Sequence, residues 1–137
     1  MSRTFLLLLF FTCTGNLTAQ DRAKSKIIEL NKQMENAFNN NDMLKVSAFY
    51  LDSSVISGGR MNVTGRSGID NYWLSLKDKS AKWRLEIDSV EDYGEIVIQK
   101  GKSFLSSTNM QSNVRFVLIW KKVNDNYRIL YDLFFSM

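Results

Sequence analysis

The second half of the chain alternates between apolar and polar residues with a period of two. The pattern begins in "WRLEIDSVEDY" at Trp83 and continues through "EIVIQKGKSFL", "NVRFVLIWKKV" and "YRILYDLFF" to residue 135. Such alternation is typical of β-strands, whose successive side chains point to opposite faces of a sheet. Short segments rich in Gly, Asn and Ser separate the four runs, and no proline interrupts them. The sequence therefore predicts four long strands joined by hairpin connections.

The first part of the chain has the spacing of a helix. Apolar residues recur at intervals of three and four between Ala23 and Phe38, which predicts an amphipathic helix over residues 21–39. The tract "NNND" follows. Asn tolerates the left-handed backbone that ends helices, and Asp42 is a favourable N-cap because its carboxylate accepts free amides of the next turn. The tract therefore predicts the end of one helix and the start of another.

Shorter elements are predicted between this tract and the alternating half. A second helix is expected over residues 43–50, followed by a turn at residues 52–54. A short strand at residues 55–56 would end at the pair Gly58–Gly59, and Ser67 is the expected N-cap of a third helix. These elements together predict an α+β domain, with about three N-terminal helices packed on one face of a mainly antiparallel sheet.

The last two predicted strands are apolar at nearly every position, which implies that both faces of the sheet are covered there. Helices cover one face. We expect a second copy of the chain to cover the other, because an apolar patch of this size is unusual on a monomer. Arg115 falls on that outer face by alternation. The residues predicted to join the homodimer are Val117, Ile119, Tyr131, Leu133 and Phe135.

The N-terminus has the pattern of a cleaved secretory signal. Arg3 precedes the apolar run "FLLLLFF", and small or polar residues follow it. The run is too short for a membrane span. We therefore predict a signal peptide over residues 1–20, a single domain over residues 21–137, and a secreted or periplasmic location. Cys13 leaves a lipid anchor open as an alternative, although Thr12 before it suits a lipobox poorly.

The amino-acid composition argues against several classes of functional site. The chain has no histidine, and its one cysteine, Cys13, lies in the predicted leader. The sequence therefore predicts no metal, no cofactor and no imidazole-based catalysis. The net charge of +4 is scattered, so we expect no nucleic-acid partner. The densest basic group, which acidic residues interrupt, is Lys77, Lys79, Lys82 and Arg84.

Four segments carry a family resemblance when they are taken in order. "AFNNND", "FYLDSSVISGG", "GRSGIDNYW" and "FVLIWKKVNDNYRILYDLF" resemble the NTF2-like superfamily, and within it the DUF4440 and SnoaL-like groups, over residues 24–135. The resemblance implies a strongly curved sheet wrapped around a long N-terminal helix, a cone-shaped pocket, and commonly a dimer through the convex face. The superfamily includes isomerases, cyclases, dehydratases and transport factors, so the fold alone does not choose a function.

The resemblance disfavours steroid isomerase activity by the usual mechanism. Ketosteroid isomerase uses an Asp as general base, and a Tyr with a protonated Asp as oxyanion hole. Overlaying the shared landmarks places these roles at Gly58, Met34 and Phe116. None of these side chains transfers a proton.

The same overlay predicts a mostly apolar pocket. Asp132 is its sharpest feature, because a carboxylate among apolar neighbours is rarely buried without a partner. It is either an acid of raised pKa facing the pocket or a structural partner of Tyr50, Trp73 or Arg115. The apolar members also suit an ordinary core. The predicted ligand-binding residues are Met34, Phe38, Tyr50, Trp73, Phe116, Leu118 and Asp132.

Three functions follow from this pocket. The first is binding of a small, mostly apolar molecule without turnover, with Asp132, Tyr50 and Trp73 as polar contacts. The second is an enzyme of the SnoaL-like or dehydratase type, with Asp132 as general acid or base. The third is a structural or interaction module whose cone is filled by its own side chains. A cavity below about 100 Å³ would favour the third, since ligand pockets usually reach several hundred.

Overall fold

A computed structural model of the protein describes residues 17–137. Most of the predicted leader, including Cys13, lies outside the described residues. No helix within residues 17–137 is long and apolar enough to cross a membrane. The helices are α1 (Ala19–Asn39), α2 (Met43–Ser47) and α3 (Gly65–Leu74). The strands are β1 (Tyr50–Gly58), β2 (Met61–Thr64), β3 (Lys82–Asp92), β4 (Ile96–Ser107), β5 (Met110–Val123) and β6 (Asn126–Ser136).

The six strands form one curved sheet in the order β2-β1-β6-β5-β4-β3. The pair β1–β6 is parallel, and all other neighbours are antiparallel. The α+β class, the number of helices and the four long strands β3 to β6 are confirmed. The chain order differs from the prediction in one respect, because an additional strand, β2, lies between β1 and α3.

The predicted second helix over residues 43–50 is too long. Helix α2 ends at Ser47, and Tyr50 begins β1. The guanidinium of Arg66 binds the backbone just beyond this end, because it donates to the carbonyl oxygens of Ser47 at 3.0 Å and of Tyr50 at 2.6 Å. Tyr50 is therefore placed by a strand, not by the helix that the sequence predicts.

Strand β1 is longer than the predicted strand at residues 55–56. The predicted turn at residues 52–54 lies inside β1, where the pairing with β6 is irregular between Tyr50 and Val55. Ser54 is buried there, and its hydroxyl donates to the carbonyl oxygen of Ile129 at 2.6 Å. The polar residues that suggest a turn thus accompany a bulge, a feature that interrupts pairing without ending the strand.

Strand β2 and the start of α3 also differ from the sequence predictions. The predictions missed β2, whose four residues form only a short alternating run; they pair with β1 through the predicted glycine turn, where Gly59 has a positive φ of 59°. Helix α3 has Thr64 as its N-cap, without a side-chain hydrogen bond. The prediction that Ser67 caps this helix is wrong, since Ser67 lies in its first turn.

The pairing of β3 with β4 contains a bulge that favours bending of the sheet. The register of the pair shifts between Ile87 and Ser89, directly opposite Gly101. A Cβ atom on Gly101 would lie 2.1 Å from the carbonyl oxygen of Glu86 and 2.7 Å from Cζ of Phe116. A β-bulge increases local twist, and glycine permits this close approach of backbone and ring. The bend gives the sheet a concave face that receives α1.

Helix α1 is fixed on the concave face by a buried polar network. Asn31 and Gln99 exchange hydrogen bonds of 3.0 and 2.8 Å, and Nε1 of Trp120 donates to Oε1 of Gln99 at 2.9 Å. All three residues are buried, and Ile27 and Leu30 pack in the same core. The network satisfies its buried amides, so it specifies how α1 sits on β4 and β5.

Polar side chains of α1 bond to the free edge of β3. Asn39 accepts from the amide of Trp83 at 2.8 Å and donates to its carbonyl oxygen at 3.0 Å. Glu35 accepts from the amide of Leu85. Gln20 donates to the carbonyl oxygen of Val90 at 2.6 Å and accepts from the amide of the strand's last residue at 2.9 Å. These contacts run along most of the strand edge.

The tract "NNND" behaves as predicted at the helix ends. Asn41 has a left-handed φ of 63°, and the carboxylate of Asp42 accepts from the amide of Lys45 at 3.2 Å. The side chain of Asn41 also bonds to Asp78, which closes the loop before β3. The helix end and the new helix start are confirmed.

We expect Gly101→Ala to lower the free energy of unfolding by about 2 kcal/mol or more, because its Cβ overlaps backbone that cannot move freely. Urea denaturation checks this value. Ser106→Ala, at an exposed position of the same strand, is the matched control and is expected to change stability little. Equal stability of the two variants would contradict the assigned bend.

Candidate functional site

A cavity of about 100 Å³ lies between α1, α3 and the concave face of the sheet. All seven residues predicted around the pocket line it, so the structure brings that set together. Whether they bind a ligand stays a prediction. Exposed Ser112 lies at the rim. Nine residues outside the predicted set complete the lining: Tyr72, Leu76, Trp83, Leu85, Ser103, Leu105, Ser112, Val114 and Phe134.

Local periodicity explains how these side chains meet. Met34 and Phe38 are four residues apart on α1 and so share one face of the helix. On β5, Phe116 and Leu118 point to the same side, and the register places Leu118 opposite Asp132. The carboxyl group of Asp132 is therefore directed to the concave face.

Tyr50 is the partner of Asp132. Its hydroxyl donates to Oδ2 of Asp132 at 2.7 Å. Arg115, one of the other partners considered from the sequence, is exposed and stands opposite Phe135 in the register. No hydrogen bond to Oδ1 of Asp132 occurs within residues 17–137. The carboxyl group thus has one structural bond and one oxygen with remaining acceptor capacity.

Burial sets the proton affinities in the cavity. It raises the pKa of Asp132 to about 6, and the hydrogen bond from Tyr50 opposes this rise. Asp132 keeps some accessible surface as a whole residue, while its carboxyl group is enclosed enough for desolvation to dominate. Burial, followed by the charge of Asp132, raises the pKa of Tyr72 to about 12 and that of Tyr50 well above its usual value. Asp132 is therefore the lining group that titrates near neutral pH.

Trp73 contributes a buried donor without a bond. The residue is 4% exposed, and its Nε1 is the buried side-chain nitrogen or oxygen atom in residues 17–137 that has no hydrogen-bond partner. The indole lies close enough to Tyr50 to lower the pKa of that hydroxyl, but not within hydrogen-bond geometry. An unsatisfied buried donor costs about 1–3 kcal/mol. The ring of Trp73 lines the cavity, whereas its N–H is sealed from it.

Aromatic rings form a continuous wall around Trp73. Tyr72 packs against it with ring centroids 5.1 Å apart, Trp83 at 5.4 Å, Tyr50 at 6.0 Å and Phe38 at 6.2 Å. All four contacts are tilted or edge-to-face, the arrangements that aromatic quadrupoles favour. The wall consists of aromatic rings, and no Lys or Arg of residues 17–137 lines the cavity.

Fold comparison gives clearer relatives than sequence comparison. No protein-family model and no curated protein matches the sequence. An NTF-2 like protein of unknown function from Shewanella oneidensis matches with a TM-score of 0.76 and 16% identity, covering 82% of this chain and 98% of its own. An NTF2-like protein with a cystatin-like fold from Novosphingobium aromaticivorans has a TM-score of 0.71 and 12% identity, covering 85% and 82%. This chain has the NTF2-like fold.

A third solved structure with the NTF2-like fold belongs to a protein that has been described by a class of reaction. It is a candidate dehydratase of the NTF2-like family from Streptomyces avermitilis, with a TM-score of 0.71 and 9% identity, covering 87% of this chain and 99% of its own. At such identities the likeness shows the fold alone, so it leaves the function of this chain open. The narrower resemblance to the DUF4440 and SnoaL-like groups stays a prediction.

The structure shows where the three positions that were compared with the steroid isomerase lie. Met34 and Phe116 line the cavity. Gly58 lies beside it on β1, and a Cβ atom there would stand 2.4 Å from the ring of Phe134. The ring thus occupies the space that a side chain at position 58 would need. Proton transfer from this position has no group to carry it.

Three lining residues escaped the sequence prediction although a signal for them existed. Tyr72 precedes Trp73 on α3, and Phe134 lies two residues beyond Asp132 on the same strand face. Trp83 opens the alternating pattern of β3, and its Nε1 donates to the hydroxyl of Ser103 at 2.8 Å. Extending the alternation from Asp132 would have identified Phe134.

The outer face of the sheet carries the predicted dimer residues. Val117 stands opposite Leu133, and Ile119 opposite Tyr131. Tyr131 and Phe135 are 41% and 53% exposed, while the other three are half-buried. Together they form an apolar strip on the convex side. Within residues 17–137 no group of three or more acidic, His or Cys side chains is placed to hold a metal ion.

The raised pKa of Asp132 predicts a pH-dependent penalty on folding. Its folded pKa of about 6 exceeds its unfolded value, so the protonated carboxyl favours the fold below about pH 4, and this contribution is lost as the pH rises through 6. We expect the free energy of unfolding of the native protein, relative to Asp132→Asn, to fall by about 2–3 kcal/mol between pH 4 and 7. Urea denaturation at several pH values measures the difference.

Tyr50→Phe is a second variant that tests the cause of the raised pKa of Asp132. Removing the hydroxyl removes the bond that opposes the pKa rise, so the carboxyl resonance of Asp132 should titrate at a higher pH in this variant. NMR titration of the Asp132 side chain gives both values. An ordinary, low pKa in the native protein would contradict the described environment.

Proposed function

We propose that this NTF2-like domain binds a small, mostly apolar molecule in its cavity without changing it chemically. The observation that supports this proposal is one carboxyl group set in an otherwise apolar, aromatic wall. Ligand sites commonly combine such walls with a few polar groups that fix orientation. Asp132 and Tyr50 are the proposed polar contacts, and Trp73 offers its ring face, although its N–H requires a side-chain movement to reach a ligand.

The cavity volume limits the ligand. About 100 Å³ is below the several hundred Å³ of sites for drug-sized molecules, and it is of the same order as an engineered cavity of about 150 Å³ that takes benzene. The proposed ligand is therefore a single ring or a short branched chain. The volume also lies at the limit below which a filled cone would be favoured, so the interaction module stays an alternative.

Turnover is the second candidate function, and the pKa of Asp132 favours it. A carboxyl group with a pKa of about 6 gains and loses a proton near neutral pH, as a general acid or base must. The candidate dehydratase with the same fold suggests the reaction class. The lining offers no second group that titrates in this range, because Tyr50 and Tyr72 are held neutral. Binding without turnover is therefore the function we put first.

A homodimer completes the proposal. The apolar strip of the convex face would be covered if two sheets packed back to back, which removes exposed Tyr131 and Phe135 from water. The packing would leave the cavities of both copies on opposite, outer sides.

Export is also proposed, from the leader pattern alone. A cut after Ala19 would keep the hydrogen bonds of Gln20 to β3 but remove the N-cap of α1, Thr18, whereas a cut after Gln20 would remove both.

A cavity-filling pair of variants tests the binding function. Val114 lines the cavity and Asn113 beside it is exposed on the other face, so Val114→Phe should abolish retention of a ligand while Asn113→Phe should not. Native mass spectrometry of each protein, purified from its own host, gives the measurement. A native protein that carries no small molecule, and whose cavity tryptophans respond to none in a fragment library, would remove the proposal.

Leu133→Asp tests the dimer. A charge at the centre of the strip should convert the dimer to a monomer without unfolding it, because burying an unpaired carboxylate is costly. Ser136→Asp, at an exposed position of the same strand, is the matched control and should leave the dimer intact. Sedimentation velocity separates the species. A Leu133→Asp protein that stayed dimeric would show that the convex strip is not the interface.

A further inference from the structure

The cavity holds a single formal charge, and that charge is negative. Sixteen residues line it, seven of them aromatic, and Asp132 is the one ionisable carboxyl group among them. No Lys or Arg of residues 17–137 is in the lining. The carboxylate accepts a hydrogen bond from the neutral hydroxyl of Tyr50. An ionised Asp132 therefore has no counter-charge supplied by the cavity.

The cations close to this region are directed elsewhere. Arg66 lies on the far side of Tyr50 and forms ion pairs with Asp52 and Asp70, both at 3.0 Å. The hydrogen bond from the hydroxyl of Ser47, and then Arg66, lower the pKa of Asp70, as expected of a carboxylate that is paired with Arg66. Arg115 is on the opposite face of the sheet. Neither guanidinium neutralises Asp132.

The rings near the carboxylate are those that attract cations. Tyr50 bonds to Asp132 directly, and Tyr72 is near enough to feel its charge. Trp73 contacts both of these rings, and Phe134 follows Asp132 on the same strand face. Aromatic faces attract ammonium groups through their quadrupoles, and Trp and Tyr do so best. A carboxylate among such rings suits a cation and repels an anion.

We infer that the ligand of this cavity is a small organic cation, an ammonium or alkylated ammonium group on a short apolar body. The inference rests on the proposed binding function and specifies its ligand class. The ammonium group would lie against the free oxygen of Asp132 and over the rings of Tyr50, Tyr72 and Trp73. The apolar body would extend along Leu105 and Val114 toward the rim.

The pH dependence of such binding has a fixed sign. Bound cation favours the ionised form of Asp132, so affinity should be constant well above pH 6 and should fall as the pH drops below 6, approaching tenfold for each unit. Tyr50 from β1 and Tyr72 from α3 are the other titratable groups that face Asp132, and both stay protonated over this range. The residues that α1, β3, β4 and β5 contribute to the lining carry no charge.

Choline and its uncharged carbon analogue, 3,3-dimethylbutan-1-ol, form the matched probe pair. They have nearly the same shape and differ in the charge of one atom. Butylammonium and butan-1-ol form a second pair, which distinguishes a hydrogen-bonding ammonium from a methylated one. The indole N–H resonances of the folded protein report the site. Those of Trp73 and Trp83 should shift on binding, and that of Trp120, bonded to Gln99 outside the cavity, should not.

We expect at least one cation to bind about tenfold or more tightly than its neutral partner at pH 7.5. Asp132→Asn should remove this preference while binding the neutral member as before, and its unchanged NMR spectrum outside the cavity establishes that it folds. Tyr72→Leu, which keeps the charge and removes a ring, should reduce the preference in part.

The outcomes separate the two proposals. Equal or tighter binding of the neutral members overturns the cation inference and leaves the binding of a small apolar molecule standing. A cation preference that survives in Asp132→Asn also overturns it, because the charge would then be recognised elsewhere. If neither cations nor neutral molecules shift Trp73 or Trp83 at millimolar concentration, the inference and the proposed binding function both fail.

Discussion

The bend of the sheet at Gly101 is the constraint on which the other features depend. The register shift of β3 and the missing side chain of Gly101 let two long strands curl, so that one face becomes concave. Helix α1 enters that hollow and is fixed by the network of Asn31, Gln99 and Trp120. Helix α3 covers another part of the concave face, where its Tyr72 and Trp73 form part of the aromatic wall of the cavity.

The chemistry of the cavity depends on the few polar groups in its lining. Tyr50 gives Asp132 one hydrogen bond, which is enough to keep the carboxyl group in place but too little to offset its burial, so its pKa rises to about 6. Both tyrosines remain neutral. One titrating group in an aromatic wall supports the proposal that the cavity holds a molecule and does not move protons between two positions.

Sequence periodicity predicted the strands and helix α1 because those segments are long and each has one buried face. The same alternation placed Phe116, Leu118 and Asp132 on one side of the sheet, and the structure shows them there. The prediction failed where a distant side chain decides the backbone. Arg66 binds the carbonyl oxygens at the end of α2 and at Tyr50, where β1 begins, and the irregular pairing of β1 accommodates polar residues that resemble a turn. Local patterns in the sequence do not reveal such long-range contacts.

The contacts of α1 with β3 have a consequence for association. Strand β3 is the last in the sheet, and an unpaired strand edge offers amides and carbonyls to any extended chain that meets it. Asn39, Glu35 and Gln20 bond to five of these groups, on Trp83, Leu85, Val90 and Asp92, so the helix partly takes the place of a seventh strand. These bonds leave fewer backbone groups on this edge for pairing with another chain.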